Sequence, residues 1–201
     1  MALKLVLAAT GLGALLAGCD SSAPAGKPGR GGGAPTELDE SRERARVEAD
    51  AVKMFDATYR WNNVDGVMDL THSRLIGALG GEAEAREGFS SFLQEIRDSG
   101  LKVESVSLPS TPRFFSTPYR HFAIVPMRAV FQTADGRVRS DFFILGCRDR
   151  RTADWGYIEG ARLDDEDLRD LFEDFPSEAP LPVCIQRPLE PIETVEDAPE
   201  N

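Results

Sequence analysis

The spacing of apolar residues changes at Gly100, and no other feature of the chain constrains its fold as much. Before Gly100 apolar residues recur three and four apart, and after it they alternate. Val47, Ala51, Met54, Phe55 and Thr58 share one stripe of a helix predicted over residues 40–61, with Arg42, Glu43, Arg44, Glu48 and Asp50 largely off it. Asn62, Asn63 and Gly66 interrupt the pattern. Two short helical pieces are expected at 64–70 and 73–79, ahead of Gly80-Gly81. A further helix is expected over 82–99, burying Ala85, Phe89, Phe92, Leu93 and Ile96. Glu82 and Glu84 suit its positive N-terminal end, and Gly100 is placed to close it.

Beyond Gly100 the two-residue period predicts strands. The first, 101–108, changes its apolar face near Ser105, and 113–117 reads as a short edge strand. Residues 119–133 are apolar on both faces: Phe122, Ile124 and Val130 on one, Ala123, Val125, Met127, Ala129 and Phe131 on the other. Such a strand is covered on both sides, and Pro126 within it suggests a bulge or an edge position. Ala134-Asp135-Gly136 signals a hairpin turn into a partner strand at 138–147. A last strand follows at 155–160, then a short helix capped by Asp164. Helices first and an antiparallel meander second give an α+β class, with N-terminal helices packed on a curved sheet.

The N-terminus is of another kind. Lys4 flanks an apolar run from Leu5 to Leu16, too short to cross the roughly 30 Å of a bilayer core as a helix. It has the proportions of a signal-peptide core. Leu16-Ala17-Gly18-Cys19 then resembles the lipobox of bacterial lipoproteins. The resemblance implies cleavage of residues 1–18, acylation of Cys19 and anchoring in the cell-envelope bilayer. At about 0.8 kcal/mol per buried methylene, two or three acyl chains hold nearly irreversibly. Asp20 resembles the inner-membrane retention signal of enteric lipoproteins. Residues 19–36 are rich in Ser, Ala, Gly and Pro and read as a flexible tether, reaching tens of Å at about 5–6 Å × √n. The domain is expected over 37–175, and 176–201 as a Pro-rich acidic tail that should be disordered after Arg187.

A formal charge of −11 argues against nucleic acid as a partner. With Cys19 assigned to lipid, Cys147 and Cys184 form either one bridge, in a compartment where disulfides persist, or two buried free thiols.

The order of elements is similar to the nuclear transport factor 2-like superfamily, a cone-shaped α+β fold. The residues that carry the likeness are Tyr59-Arg60-Trp61-Asn62, then Asp65-Gly66-Val67-Met68-Asp69-Leu70-Thr71, the long hairpin at 119–147, and Trp155-Gly156-Tyr157-Ile158-Glu159-Gly160. The resemblance implies a cavity between the first helix and the concave sheet face. It also implies a choice of jobs: isomerase or dehydratase chemistry, small-ligand or protein binding, and dimerisation through the sheet. Fold alone does not select among them.

Phe55, Tyr59, Trp61, Met68, Leu75, Phe122, Ile124, Phe142, Phe143 and Tyr157 would line such a cavity or fill a core, depending on strand register. Asp65, Asp69 and His72 form a compact acid–base cluster, read either as isomerase- or hydratase-type machinery beside Tyr59 or as caps of short helices. His72 and His121 stand far apart, and no Cys-x-x-Cys or His-x-x-x-His spacing occurs, so no metal is expected. Residues 164–167 lack the alternation of a calcium loop, and Gly31-Gly32-Gly33 falls in the tether, so no cofactor is expected either. The expectation is therefore an anchored lipoprotein that binds a protein partner or a small apolar ligand, with an enzyme using Asp69 or His72 as the alternative.

Overall fold

Asp39 starts the first helix, α1 (Glu40–Phe55), by accepting the Arg42 N–H on its carboxylate at 3.2 Å. The computed structural model describes residues 38–163 and 165–189. The signal segment 1–18, Cys19, the tether, Asp164 and residues 190–201 lie outside the described residues. The α-helix stops at Phe55 instead of running to Trp61. Asp56–Arg60 forms a π turn, in which the Trp61 N–H donates to the Asp56 carbonyl at 2.9 Å. The wider turn buries three successive residues, Ala57, Thr58 and Tyr59, which the 3.6-residue period does not place on one face.

Two short helices follow, α2 (Val64–Leu70) and α3 (Ser73–Ala78), then the long α4 (Glu82–Asp98). Asn63 caps α2 by accepting the Gly66 N–H at 3.1 Å. Gly100 leaves α4 with φ 68, the left-handed region that a glycine reaches without strain.

The rest is an open antiparallel sheet of six strands, so the class is α+β. Its path runs β1 (Lys102–Ser107), β3 (Arg120–Thr133), β4 (Gly136–Asp149), β5 (Gly156–Glu159). β2 (Arg113–Ser116) shares β1's side of β3, and β6 (Ile185–Leu189) shares β5's side of β4. The β1–β3 register shifts between Val103 and Ser105, where the sequence changes its apolar face.

Pro126 is neither at a bulge nor on an edge strand. The β3–β4 register is continuous through the pair Pro126↔Phe143. On its other side β2 pairs only as far as Ile124 and β1 begins at Arg128. Pro126 falls in the gap, where its missing N–H loses no ladder bond on that side.

Two cores cover the sheet. On one face Ala123, Val125, Met127 and Phe131 of β3 and Phe142 and Ile144 of β4 pack against Val47, Ala51, Phe55, Leu70, Leu93 and Ile96 of the helices. On the other face Phe122, Ile124, Phe143, Leu145 and Ile158 pack with Leu75 of α3 and with Leu168 and Phe172 around α5 (Asp165–Leu171). The sheet also extends past the expected boundary at 175. Residues 185–189 pair with Asp141 through Arg137, so Pro188 and Leu189 are ordered as an edge strand rather than tail. Pro188 is tolerated there because an outer strand needs ladder bonds on one side only.

Register also separates the two thiols. Cys147 lies between Phe122 and Gly156, whereas Cys184 precedes the pair Ile185↔Asp141, several residues along β4. Both are free, Cys147 buried and Cys184 exposed, which corrects the expectation of a bridge. Burial pushes the Cys147 thiol up from its ordinary range.

Candidate functional site

β5 ends the sheet's path, and the chain between α2 and α3 runs along its free side. Thr71 makes a parallel bridge to Tyr157, and the His72 N–H donates to the Tyr157 carbonyl at 3.0 Å. The chains approach closely here: a Cβ on Gly156 would lie 2.7 Å from the His72 Cα. This seam, the π turn and α4 enclose a cleft of about 540 Å³ counted out to its open mouth. Met54, Val67, Leu75, Leu79, Phe89, Phe92, Leu93, Ile158 and Leu163 supply apolar wall, with Thr58, Thr71 and Glu159 among them. A smaller recess of about 170 Å³ shares Met54, Thr58 and Glu159 and adds Phe55, Tyr59, Phe142 and Ile144.

The polar groups of the cleft have definite roles. Thr58 Oγ1 donates to the Met54 carbonyl at 2.9 Å, and Thr71 Oγ1 to the Val67 carbonyl at 2.7 Å, each one turn back on its own helix. The Tyr59 hydroxyl donates to Glu159 Oε1 at 2.5 Å. The π turn aims Tyr59 inward, and the pair Ile144↔Glu159 fixes the carboxylate on β5 opposite a recess wall.

A second polar set binds α1 to the same strand. Glu43 accepts from Arg148 Nη1 at 2.9 Å and from Trp155 Nε1 at 2.8 Å, and the Arg148 guanidinium lies 5.0 Å from the Trp155 ring centroid. Burial opposes charge on Glu43, but the bonds from Trp155 and Arg148 outweigh it and hold the carboxyl below its usual range. Tyr157 donates to Asp50 Oδ2 at 2.8 Å, and burial together with that bond pushes its hydroxyl well up.

The expected site residues divide. Phe55, Tyr59 and Phe142 line the smaller recess. Trp61 is 59% exposed, because the π turn ends before it. Phe122 faces the other side of the sheet, edge-on to Phe172 at 5.5 Å between centroids. Tyr157 and Met68 are buried without lining either cavity. Of the other three cavity candidates, Leu75 lines the cleft, while Ile124 and Phe143 fill the second core.

The acid–base cluster is dispersed. Asp69 is exposed, and Asp65 pairs with Arg86 at 2.5 Å on the surface. His72 caps α3: its Nδ1 accepts the Arg74 N–H at 3.1 Å while its ring meets Phe172 edge-on. Burial lowers its pKa to about 4.

Sequence reasoning passed over Glu159, which it quoted only within a strand motif. The usable signal was parity: Glu159 stands two residues from Tyr157, on the strand face turned to the helices. Phe89 and Phe92, expected on the buried face of their helix, are half-buried and wall the cleft. Among the described residues no group of His, Cys, Asp and Glu could hold a metal ion. No family model, curated protein or solved structure matches the chain.

Proposed function

We propose that this chain is a lipid-anchored lipoprotein of the bacterial envelope whose domain, a cone of the nuclear transport factor 2-like kind, holds a small apolar ligand. The observation that carries the reading is the open, apolar-walled cleft between the π turn, α4 and β5. Its wall is apolar with few polar groups, as the walls of small-molecule sites are. Asp69 and His72, the acid–base residues of the isomerase- or hydratase-type alternative, do not line it.

Native mass spectrometry of a soluble form starting at Asp20 tests the ligand. Extra mass that leaves on denaturation is expected, and a bare mass after purification without detergent counts against the reading. Cell fractionation tests the anchor. Cys19→Ser should move the protein from the membrane to the soluble fraction, and an acylated, membrane-bound Cys19→Ser variant would show that the anchor lies elsewhere.

A further inference from the structure

The second core stops at Ile124 and Phe143, and the same face of the sheet continues beyond them. Register lays out what it carries. Leu189, Arg137, Gln132 and Lys102 form one row across β6, β4, β3 and β1. Arg187, Arg139 and Val130 form the next row, and Ile185, Asp141 and Arg128 the one after. Directly paired residues point to one side of a sheet, so four arginines and Lys102 share this face. Two carboxylates of the strands answer them. Glu104 takes Arg137 at 2.7 Å, and Asp141 is divided between Arg128 at 2.5 Å and Arg139 at 3.3 Å. Arg139 Nε is buried with no hydrogen-bond partner among the described residues, while Arg187 and Lys102 are exposed. Val130 belongs to neither core. A chain of charge −11 thus gathers an excess of positive charge around an apolar residue at one end of its sheet.

We propose that residues 190–201 of the chain itself dock on this face. The sequence supplies the complement: Glu190, Glu193, Glu196, Asp197 and Glu200, no Lys or Arg, and Ile192 and Val195 between the charges. Position supplies the rest. Residue 190 follows Leu189, which stands in the row of Arg137 and Lys102. Lys102 is three strands away, about 15 Å at roughly 4.8 Å per strand. Twelve residues reach up to about 40 Å. Glu193, Glu196 and Asp197 then meet Arg139, Arg187 and Lys102 as charge-assisted acceptors, and Ile192 and Val195 cover Val130. A segment joined to its own site acts at an effective concentration near millimolar, so weak contacts suffice. Docking here does not depend on what the cleft holds.

Nuclear magnetic resonance of the soluble form starting at Asp20 tests this, beside the same form ending at Leu189. At about 20 mM salt the backbone of residues 192–197 should have order parameters above about 0.6. They should fall below that at about 1 M, where the Debye length is about 3 Å. The Val130 methyl resonances should differ between the two forms. Lys102→Glu combined with Arg187→Glu, both at exposed positions, should free the segment at low salt and leave the β3 and β4 amide spectrum in place. Adding Glu193→Lys and Glu196→Lys should return it. Free-chain values in the unmutated protein at low salt overturn the proposal. An ordered segment that ignores both salt and the charge reversal overturns it as well, as does one that leaves Val130 unmoved, since it then rests elsewhere. A Val130 shift that grows with protein concentration assigns the face to a second copy. Salt-sensitive pelleting with phosphatidylglycerol vesicles, equal in the two forms, leaves the face open to a bilayer. Either of these results also overturns docking by residues 190–201.

Discussion

Tyr59 joins the helical layer to the sheet in the smaller recess through one proton, given to Glu159. Tyr59→Phe keeps the ring contacts with Phe55 and Phe131 and removes that proton. The expected cost is about 1–2 kcal/mol, read as a lower urea midpoint, because a partly buried carboxylate loses a donor. His72 has a different signature. Its folded-state pKa is depressed to about 4 from an ordinary 6.5. Between those values the unfolded chain binds a proton that the folded one refuses, so stability is complete above pH 6.5 and drains away as pH falls toward 4. The loss should be about 2 kcal/mol between pH 7 and 5. Asp149 favours the charged ring, while burial, Arg74 and Arg120 disfavour it. His72→Asn retains a capping side chain without a titrating group. Urea unfolding at the two pH values should show a flatter dependence in that variant; equal losses in both proteins would assign the effect to another group.

At the scale of elements, α1 is fixed by Glu43, which serves Arg148 of β4 and Trp155 at the entry to β5. Both side chains of the Glu43–Arg148 pair are largely buried, at 13% and 9% exposure. Glu43→Ala should therefore cost about 3 kcal/mol, since it strands the Arg148 charge. At roughly 2–4 °C per kcal/mol for a chain of this size, a drop of about 10 °C in Tm is expected by calorimetry. The helices α2 to α4 were legible because their boundaries are chemical: Asn63 caps, Gly80 and Gly81 break, Gly100 closes. The β1 shift was legible too, from an apolar pattern that changes sides near Ser105. The π turn was not, because Met54, Phe55 and Thr58 fit a continued α stripe equally well and only tertiary packing draws Tyr59 inward. The placement of Pro126 depends on where two other strands stop, and strand β6 on pairing with a segment more than forty residues away; neither is local information. For the cleft, the aromatic residues could be read but not their sheet face, so Phe55, Tyr59 and Phe142 were found together with Phe122, which points the other way.

For the whole molecule, the C-terminal strand closes one side of the sheet. Residues 185–189 cover the β4 segment that would otherwise present unpaired backbone at 137–141. Ending the chain after Cys184 should lower stability by a few kcal/mol, at about 0.5–1.5 kcal/mol per ladder bond. Hydrogen exchange should then show lost protection at Arg137 to Asp141, with the β3–β5 core holding its own. The thiols give a second global readout. In a chain with Cys19 acylated, thiol titration should count one reactive group in the native protein, Cys184, and two after denaturation. A count of zero in both would restore the bridge.

The π turn makes the chain locally tolerant of its own length. Five residues, Asp56 to Arg60, occupy a turn that an α-helix would complete with fewer. Deleting Ala57 would let the helix run on in regular form, and the residues on either side would keep nearly their present phase, because the wide turn already absorbs the surplus residue. Asp50 would stay at Tyr157, Glu43 at Trp155 and Met54 at the cleft, and only the inward run of Ala57, Thr58 and Tyr59 would be lost. The surplus residue works as slack taken up in one place: it turns three neighbours inward without disturbing the angle at which the helix meets the sheet.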